Sequence, residues 1–291
     1  MKKISYIDRI SGEVKTEIVP GKNMLYWLYG TVFGRIALKL VFKHKFLTDL
    51  GGWYMNTRWS ARQIARFVVQ HNINMNDYCK KIEDYDTFND FFYRTLKPDA
   101  RPIEDALVAP ADGKILVFPS MKDVRSFFIK GIEFSLERFV LNEQLATKYK
   151  NGTMAIVRLA PPDYHRFHFP ASGMASKSTK INGHYYSVSP LALRRNLQIY
   201  CENKREHCTL STKDYGDILI VDVGATMVGS IIQTYQPGPV KKGAEKGYFA
   251  FGGSTLVLLF EKGSIQFDSD LIENTKKGLE TAVRMGENIA F

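Results

Sequence analysis

The spacing of apolar residues along the chain changes once, near residue 100. Ahead of that point it predicts a hairpin and a set of helices. Ile4 to Val19 alternates apolar and polar positions around Ser11-Gly12, the pattern of a β-hairpin. In Asn23 to Phe46 the basic residues Arg35, Lys39 and Lys43 lie four apart and stack along one helical face. Leu25, Leu28, Tyr29, Val32, Phe33, Ile36, Leu40 and Val41 cover the remainder. A helix of this kind suits a membrane interface, and equally a surface helix packed on its own core with its cations reaching outward. Helices are also expected over 58–71 and 86–96. In the second, Phe88, Phe91, Phe92 and Leu96 share a face and Asp86 or Thr87 caps the start. Lys97-Pro98-Asp99-Ala100-Arg101-Pro102 then breaks the helix and places a boundary. The expected division is an N-terminal hairpin and helical region over 1–100 and a β-rich domain over 101–291.

From Val108 onward, short β-type runs alternate with Gly and Pro turns: 114–118, 153–159, 218–223, 227–233, 248–251 and 255–260. Their spacing predicts an α+β protein whose catalytic part is a compact, mostly antiparallel β-rich domain. The tail, 269–288, reads as a helix. With 45% hydrophobic residues in 291, the chain can bury a sizeable core. A formal net charge of +10 favours an anionic partner, whether nucleic acid, an acidic membrane surface or a phosphorylated substrate. Three cysteines, an odd number without ligand spacing, make a disulfide framework improbable and fit a reducing compartment. The first twenty residues lack the apolar core of a signal peptide, and no run of 18 apolar residues offers a membrane span.

Three clusters carry candidate chemistry. Val108-Ala109-Pro110-Ala111-Asp112-Gly113-Lys114-Ile115 places an Asp-Gly pair ahead of a strand, usually no more than a turn. Pro161-Pro162-Asp163-Tyr164-His165-Arg166-Phe167-His168-Phe169-Pro170 is a constrained loop with two histidines three apart. No third ligand lies at useful spacing, so no metal is expected, and general base work suits neutral imidazole better. Phe249-Ala250-Phe251-Gly252-Gly253-Ser254-Thr255-Leu256 sets a Gly-Gly-Ser corner between strands. A glycine bulge accounts for it as well as catalysis does. Together, Asp112, His168 and Ser254 supply an orienter, a base and a nucleophile, and only geometry distinguishes such a triad from coincidence.

These clusters, with their neighbours, also carry a resemblance. TFNDFFYRTLKPDARPI (87–103), VAPADGKI (108–115), APPDYHRFHFPASG (160–173), VDVGATMVGSI (221–231) and VKKGAEKGYFAFGGSTLVLLFEKG (240–263) occur in order and span most of the chain beyond residue 85. The chain resembles the bacterial phosphatidylserine decarboxylase proenzymes of the shorter type that also resembles the eukaryotic enzymes. The resemblance implies self-cleavage between Gly253 and Ser254, with Ser254 becoming a covalent pyruvoyl group, so that no external cofactor is needed. It implies a charge relay of Asp112 and His168 that activates the Ser254 hydroxyl, and a role for His165 in handling substrate or the proton of decarboxylation. It implies a heterodimer of the cleaved pieces, 1–253 and 254–291, acting on phosphatidylserine in anionic membranes to give phosphatidylethanolamine and carbon dioxide. The basic helix then becomes the means of peripheral attachment to the cytoplasmic side of the cell membrane, and nucleic acid drops out as a partner. Whether the heterodimer forms a homo-oligomer is left open.

Two rivals predict different behaviour. A serine hydrolase acting on lipids keeps an intact chain and is inactivated by serine-directed phosphonates. A non-catalytic membrane-binding module tolerates loss of Ser254. A third, a carrier-type β domain, rests on Val240-Lys241-Lys242-Gly243, a turn that more often simply joins two strands.

Overall fold

The computed structural model describes residues 4–18, 27, 30, 31, 33, 34, 51–127, 134–184, 186–188, 199–225, 231–250, 252 and 254–291. Its strands are β1 (Ser5–Asp8), β2 (Val14–Thr16), β3 (Leu107–Val108), β4 (Gly113–Phe118), β5 (Thr153–Leu159), β6 (Arg166–His168), β7 (Gly173–Ala175) and β8 (Thr179–Ile181). They continue as β9 (Arg205–Ser211), β10 (Asp217–Gly224), β11 (Ile231–Gln233), β12 (Gly238–Val240), β13 (Glu245–Phe249), β14 (Ser254–Phe260), β15 (Glu280–Val283) and β16 (Asn288–Ala290).

β4, β5 and β14 are buried at every residue, so both faces of their sheet must be covered. They lie at the centre of an 11-stranded sheet ordered β12-β7-β9-β10-β14-β5-β4-β15-β1-β2, with β8 also on β9. Its pairings are antiparallel except β1 on β15. Side chains alternate between faces along each strand. Ile218, Ile220, Leu256, Leu258 and Phe260 fall in one apolar cluster, together with Phe167 and Phe249 of a second, three-stranded sheet, β11-β13-β6. Leu219, Val221, Val257 and Leu259 fall in the other, with Phe139, Val140, Ala146 and Tyr149 from the helices Leu136–Val140 and Glu143–Tyr149. The α+β class expected from the sequence is the class observed.

The hairpin forms where the alternation places it, with Gly12 at φ +70 in its turn. It is not set apart from the β-rich part. β1 extends the large sheet beyond β15, Arg9 pairs with Asp268 and Asp270, and Glu17 reaches Arg158, itself buried and paired with Glu280. The 58–71 segment begins as a 3-10 helix, Arg58–Gln63, and continues as the α-helix Ile64–His71. In the helix Phe88–Phe92, Thr87 is the cap, its hydroxyl accepting from the Asp90 amide at 3.0 Å. Most of the expected basic helix, including Arg35, Lys39 and Lys43, lies outside the described residues.

One expectation is corrected. The tail is not one helix over 269–288. The helix spans Ser269–Lys276 and ends before Gly278, whose φ of +76 takes the chain out of helical geometry. Beyond it, β15 pairs with β4 and β16 with β3, so distant strand partners override the local pattern.

Candidate active site

Ser254 opens β14 and is wholly buried. Its backbone lies between Leu159, the last residue of β5, and Gly224, the last residue of β10. Strand alternation puts its side chain on the face of Leu256 and Leu258, toward the second sheet. Among the described residues the Ser254 hydroxyl has no hydrogen-bond partner, which is uncommon for a buried polar group. Two residues earlier, Gly252 stands at φ +137, a backbone conformation open to glycine and strained for residues with a side chain.

The histidine loop begins directly after the residue that pairs with Ser254. Contacts from outside pin its start. The buried Arg94 guanidinium donates to the carbonyls of Pro162 (2.8 Å) and Asp163 (3.2 Å) and to the Tyr78 hydroxyl (3.0 Å). Lys114 of β4 holds the Asp163 carboxylate at 2.7 Å, and that carboxylate accepts from the Ala160 amide at 2.7 Å. His165 is wholly buried, with its ring edge-on to Phe92 at 3.8 Å between centroids. Neither of its nitrogens has a partner. Burial first, and then the nearby charges of Arg94 and Lys114, hold its pKa well below the ordinary histidine range, so it is a neutral imidazole.

His168 ends β6, and its contacts differ. Nδ1 lies 3.0 Å from the Gly243 carbonyl and Nε2 lies 3.1 Å from the Tyr164 hydroxyl. A carbonyl can only accept, so Nδ1 carries the proton and Nε2 accepts from Tyr164. Burial lowers the His168 pKa, while the Gly243 bond and the carboxylates of Glu245 and Asp112 pull the other way. The His168 amide donates to the Pro110 carbonyl at 2.8 Å, which ties β6 to the turn carrying Asp112.

Asp112 is gripped by Arg101, from Nη2 at 2.7 Å and Nε at 3.0 Å, and by the Met285 amide at 2.8 Å. Arg101 also holds Asp77 at 2.9 Å, and these carboxylates raise its pKa against the opposing cost of burial. Asp112 and Tyr164 line a polar cleft of ≈ 350 Å³ with Arg101, Lys114, Asp163 and Arg284. The structure thus gathers Asp112 and His168 through backbone and charge, and sets the histidine loop beside Ser254. Among the described residues no hydrogen bond joins Asp112 to His168, or either to the Ser254 hydroxyl.

Two groups beside this site escaped the sequence reading. Asp222 of β10 and Lys246 of β13 are both wholly buried and form an ion pair between the two sheets. A single charge within the apolar run 218–224 was the signal for the first. No group of three or more His, Cys, Asp or Glu side chains able to hold a metal occurs among the described residues.

Ser254 is a wholly buried serine at a strand head next to the histidine loop, a candidate enzyme site built from the chain's own side chains. The phosphatidylserine decarboxylase family matches over residues 88–291. Proteins named phosphatidylserine decarboxylase proenzyme are similar over nearly the full length. One from Fusobacterium nucleatum subsp. nucleatum is 53% identical, over 98% of this chain and 97% of its own. One from Chlamydia trachomatis serovar L2 is 47% identical, over 99% and 97%. One from Clostridium novyi is 47% identical, over 94% of each. The chain belongs to the phosphatidylserine decarboxylase family, and it is a decarboxylase.

Proposed function

We propose that the chain cuts itself between Gly253 and Ser254, converts Ser254 into a pyruvoyl group, and then decarboxylates phosphatidylserine to phosphatidylethanolamine. The observation that carries this reading is the buried, partnerless Ser254 hydroxyl at the head of β14. The word proenzyme in the names of the relatives supports it.

The Ser254 hydroxyl attacks the Gly253 carbonyl carbon and the peptide nitrogen leaves, giving an ester. Elimination across the serine Cα–Cβ bond releases the upstream chain as a carboxylate, and hydrolysis of the resulting dehydroalanine gives the pyruvoyl group and ammonia. His168, with Nε2 unprotonated, is the base for the hydroxyl, and the negative charge of Asp112 favours the imidazolium that forms. Reaching Ser254 requires Nε2 to exchange its Tyr164 bond for one to the serine. β14 remains bonded to β5 and β10 after the cut, so the pieces 1–253 and 254–291 stay together as a heterodimer.

The residues fit a pyruvoyl group. Its carbonyl would sit at the buried end of β14, and as a covalent electron sink it stabilises the electrons left when carbon dioxide departs. His165 works on substrate. It is neutral because burial first, and then the nearby cations Arg94 and Lys114, disfavour its protonated form. An incoming substrate carboxylate supplies a negative charge and raises its affinity for the proton that decarboxylation consumes. The cleft beside Asp112 and Tyr164 offers polar groups of both signs for a zwitterionic headgroup.

The same reading places the chain peripherally on the cytoplasmic face of the cell membrane. Its charge of +10 and the exposed Trp53 and Trp59 suit an anionic interface. No described helix is long and apolar enough to cross a membrane.

The test is carbon dioxide release from phosphatidylserine vesicles. Activity should be lost on carbonyl reduction with borohydride and should survive serine-directed phosphonates. Resistance to borohydride together with phosphonate inactivation would replace this reading with a lipid hydrolase.

A further inference from the structure

Self-processing needs two deprotonations at Ser254. The hydroxyl proton must leave before attack, and the α-proton must leave for elimination. His168 answers only the first. On the same face of the sheet, one diagonal step from Ser254, stands a second buried acid–base group.

The register of β10 on β14 sets Gly224 opposite Ser254 and Asp222 opposite Leu256. Asp222 and Ser254 are therefore diagonal neighbours, with Cα atoms roughly 7–8 Å apart in such a pairing. Gly224 has no side chain to stand between them. Both residues are wholly buried. Asp222 Oδ2 accepts from Lys246 Nζ and from the Gln233 amide, the latter at 2.7 Å, while Oδ1 has no partner. Among the described residues, the Ser254 hydroxyl, Asp222 Oδ1 and Oε1 of Glu206, opposite Asp222 on β9, have no hydrogen-bond partner.

Local backbone geometry maintains the arrangement. On β13, Glu245 pairs with His168 and Gly247 with Phe167, so Lys246 is the extra residue of a β-bulge. Bulges of this kind re-aim side chains. Gly247 must follow, because a Cβ there would stand 2.2 Å from the Ile232 carbonyl oxygen and 2.9 Å from the Phe167 ring. Burying an ion pair is costly, and two apolar side chains would stabilise the space between the sheets as well or better. A purely structural role does not account for this pair beside the reacting serine.

We propose that Asp222, held as a carboxylate by Lys246 and Gln233, is the base that takes the Ser254 α-proton in the elimination step. The inference rests on the self-processing reading above. Once the ester has formed, Asp222 removes the α-proton and the C–H electron pair becomes the Cα=Cβ bond. The Cβ–Oγ bond breaks, Gly253 leaves as a carboxylate, and the proton remains on Asp222. Burial raises the Asp222 pKa and makes it a better base. Lys246 and Gln233 oppose that shift, and Glu206, the neighbouring carboxylate on β9, adds to it.

The experiment uses Asp222→Asn in the full chain, with hydroxylamine as the probe for an ester. The variant is expected to fold, to attack normally, and to accumulate full-length chain that hydroxylamine cleaves at Ser254. Elimination should fall by at least about 100-fold, the lower range for loss of a positioned base. Asp222→Glu should recover part of the rate. Asp222→Asn that processes at the wild-type rate, or that stays full-length and resists hydroxylamine, overturns the proposal. If Asp222→Asn does not fold, Gln233→Leu keeps the ion pair. Removing an amide donor raises the Asp222 pKa, so the loss of processing on acidification should begin at higher pH in Gln233→Leu than in wild type. An unchanged profile overturns the proposal. A wild-type chain that never cleaves refutes the self-processing reading instead.

Discussion

The polar groups around Ser254 divide into two regions with opposite hydrogen-bonding habits. In one, Asp112 and His168 are satisfied: the carboxylate by Arg101 and the Met285 amide, the imidazole by Gly243 and Tyr164. In the other, the Ser254 hydroxyl, both nitrogens of His165 and one oxygen of Asp222 are buried without partners among the described residues. Leaving such groups unpaired opposes folding by about 1–3 kcal/mol each. On the proposed mechanism the difference divides groups oriented before reaction from groups left open to bonds that form during it. The satisfied region fixes a tautomer and a distance, and the unsatisfied region keeps its capacity for substrate and for bonds that form during the reaction.

The sharpest way to break this comparison is to remove members of the satisfied region. His168→Ala and Asp112→Ala should each slow self-cleavage by roughly 10³-fold or more, as expected for a relay that acts as a unit. A time course of the fragment 254–291 measures it. Normal cleavage in His168→Ala with loss in His165→Ala would reverse the two histidines.

For His165, within the unsatisfied region, the effect should move to the second reaction. His165→Ala should process at near the wild-type rate and release carbon dioxide about 10²–10⁴-fold more slowly. Equal losses in both reactions would remove the distinction between the regions.

Acid should act on both regions. His168 works as a base only when neutral, and its pKa is depressed. Processing should therefore be level through neutral pH and fall only below the ordinary histidine range. His165 also contributes to stability. Its folded pKa is depressed below the unfolded value near 6.5, so its contribution is present above that pH. It is lost as pH falls from there toward the folded pKa. Thermal melts should show this acid limb in wild type and a weaker one in His165→Phe.

Tyr164→Phe should have the smallest effect. It removes one neutral hydrogen bond, worth about 1 kcal/mol, and frees Nε2 of His168. Processing should change by less than about tenfold, measured by the same time course.

Much of this was legible in the sequence. The strand expected over 153–159 is β5, and Ser254 pairs with its last residue, directly ahead of the histidine loop. Local spacing carries such features because apolar runs and glycine corners are written into neighbouring residues. The docking of the hairpin on β15 was not legible, since residues far apart in the chain form it. The tail misled for the same reason. Leu271 and Thr275 on one helical face invite a longer helix, and only the partners of β15 and β16 show where it stops. Asp222 and Lys246 were missed because nothing in either segment points to the other. Sheet register and a one-residue bulge make them a pair.

The most direct test of the central claim is the intact mass of the folded wild-type chain beside that of Ser254→Ala. The account predicts two masses for wild type, matching 1–253 and 254–291, with the smaller piece lacking a free amino terminus and carrying the mass of a pyruvoyl group. It predicts one full-length mass for Ser254→Ala. A wild-type chain that remains intact after prolonged incubation, yet releases carbon dioxide from phosphatidylserine, would contradict it.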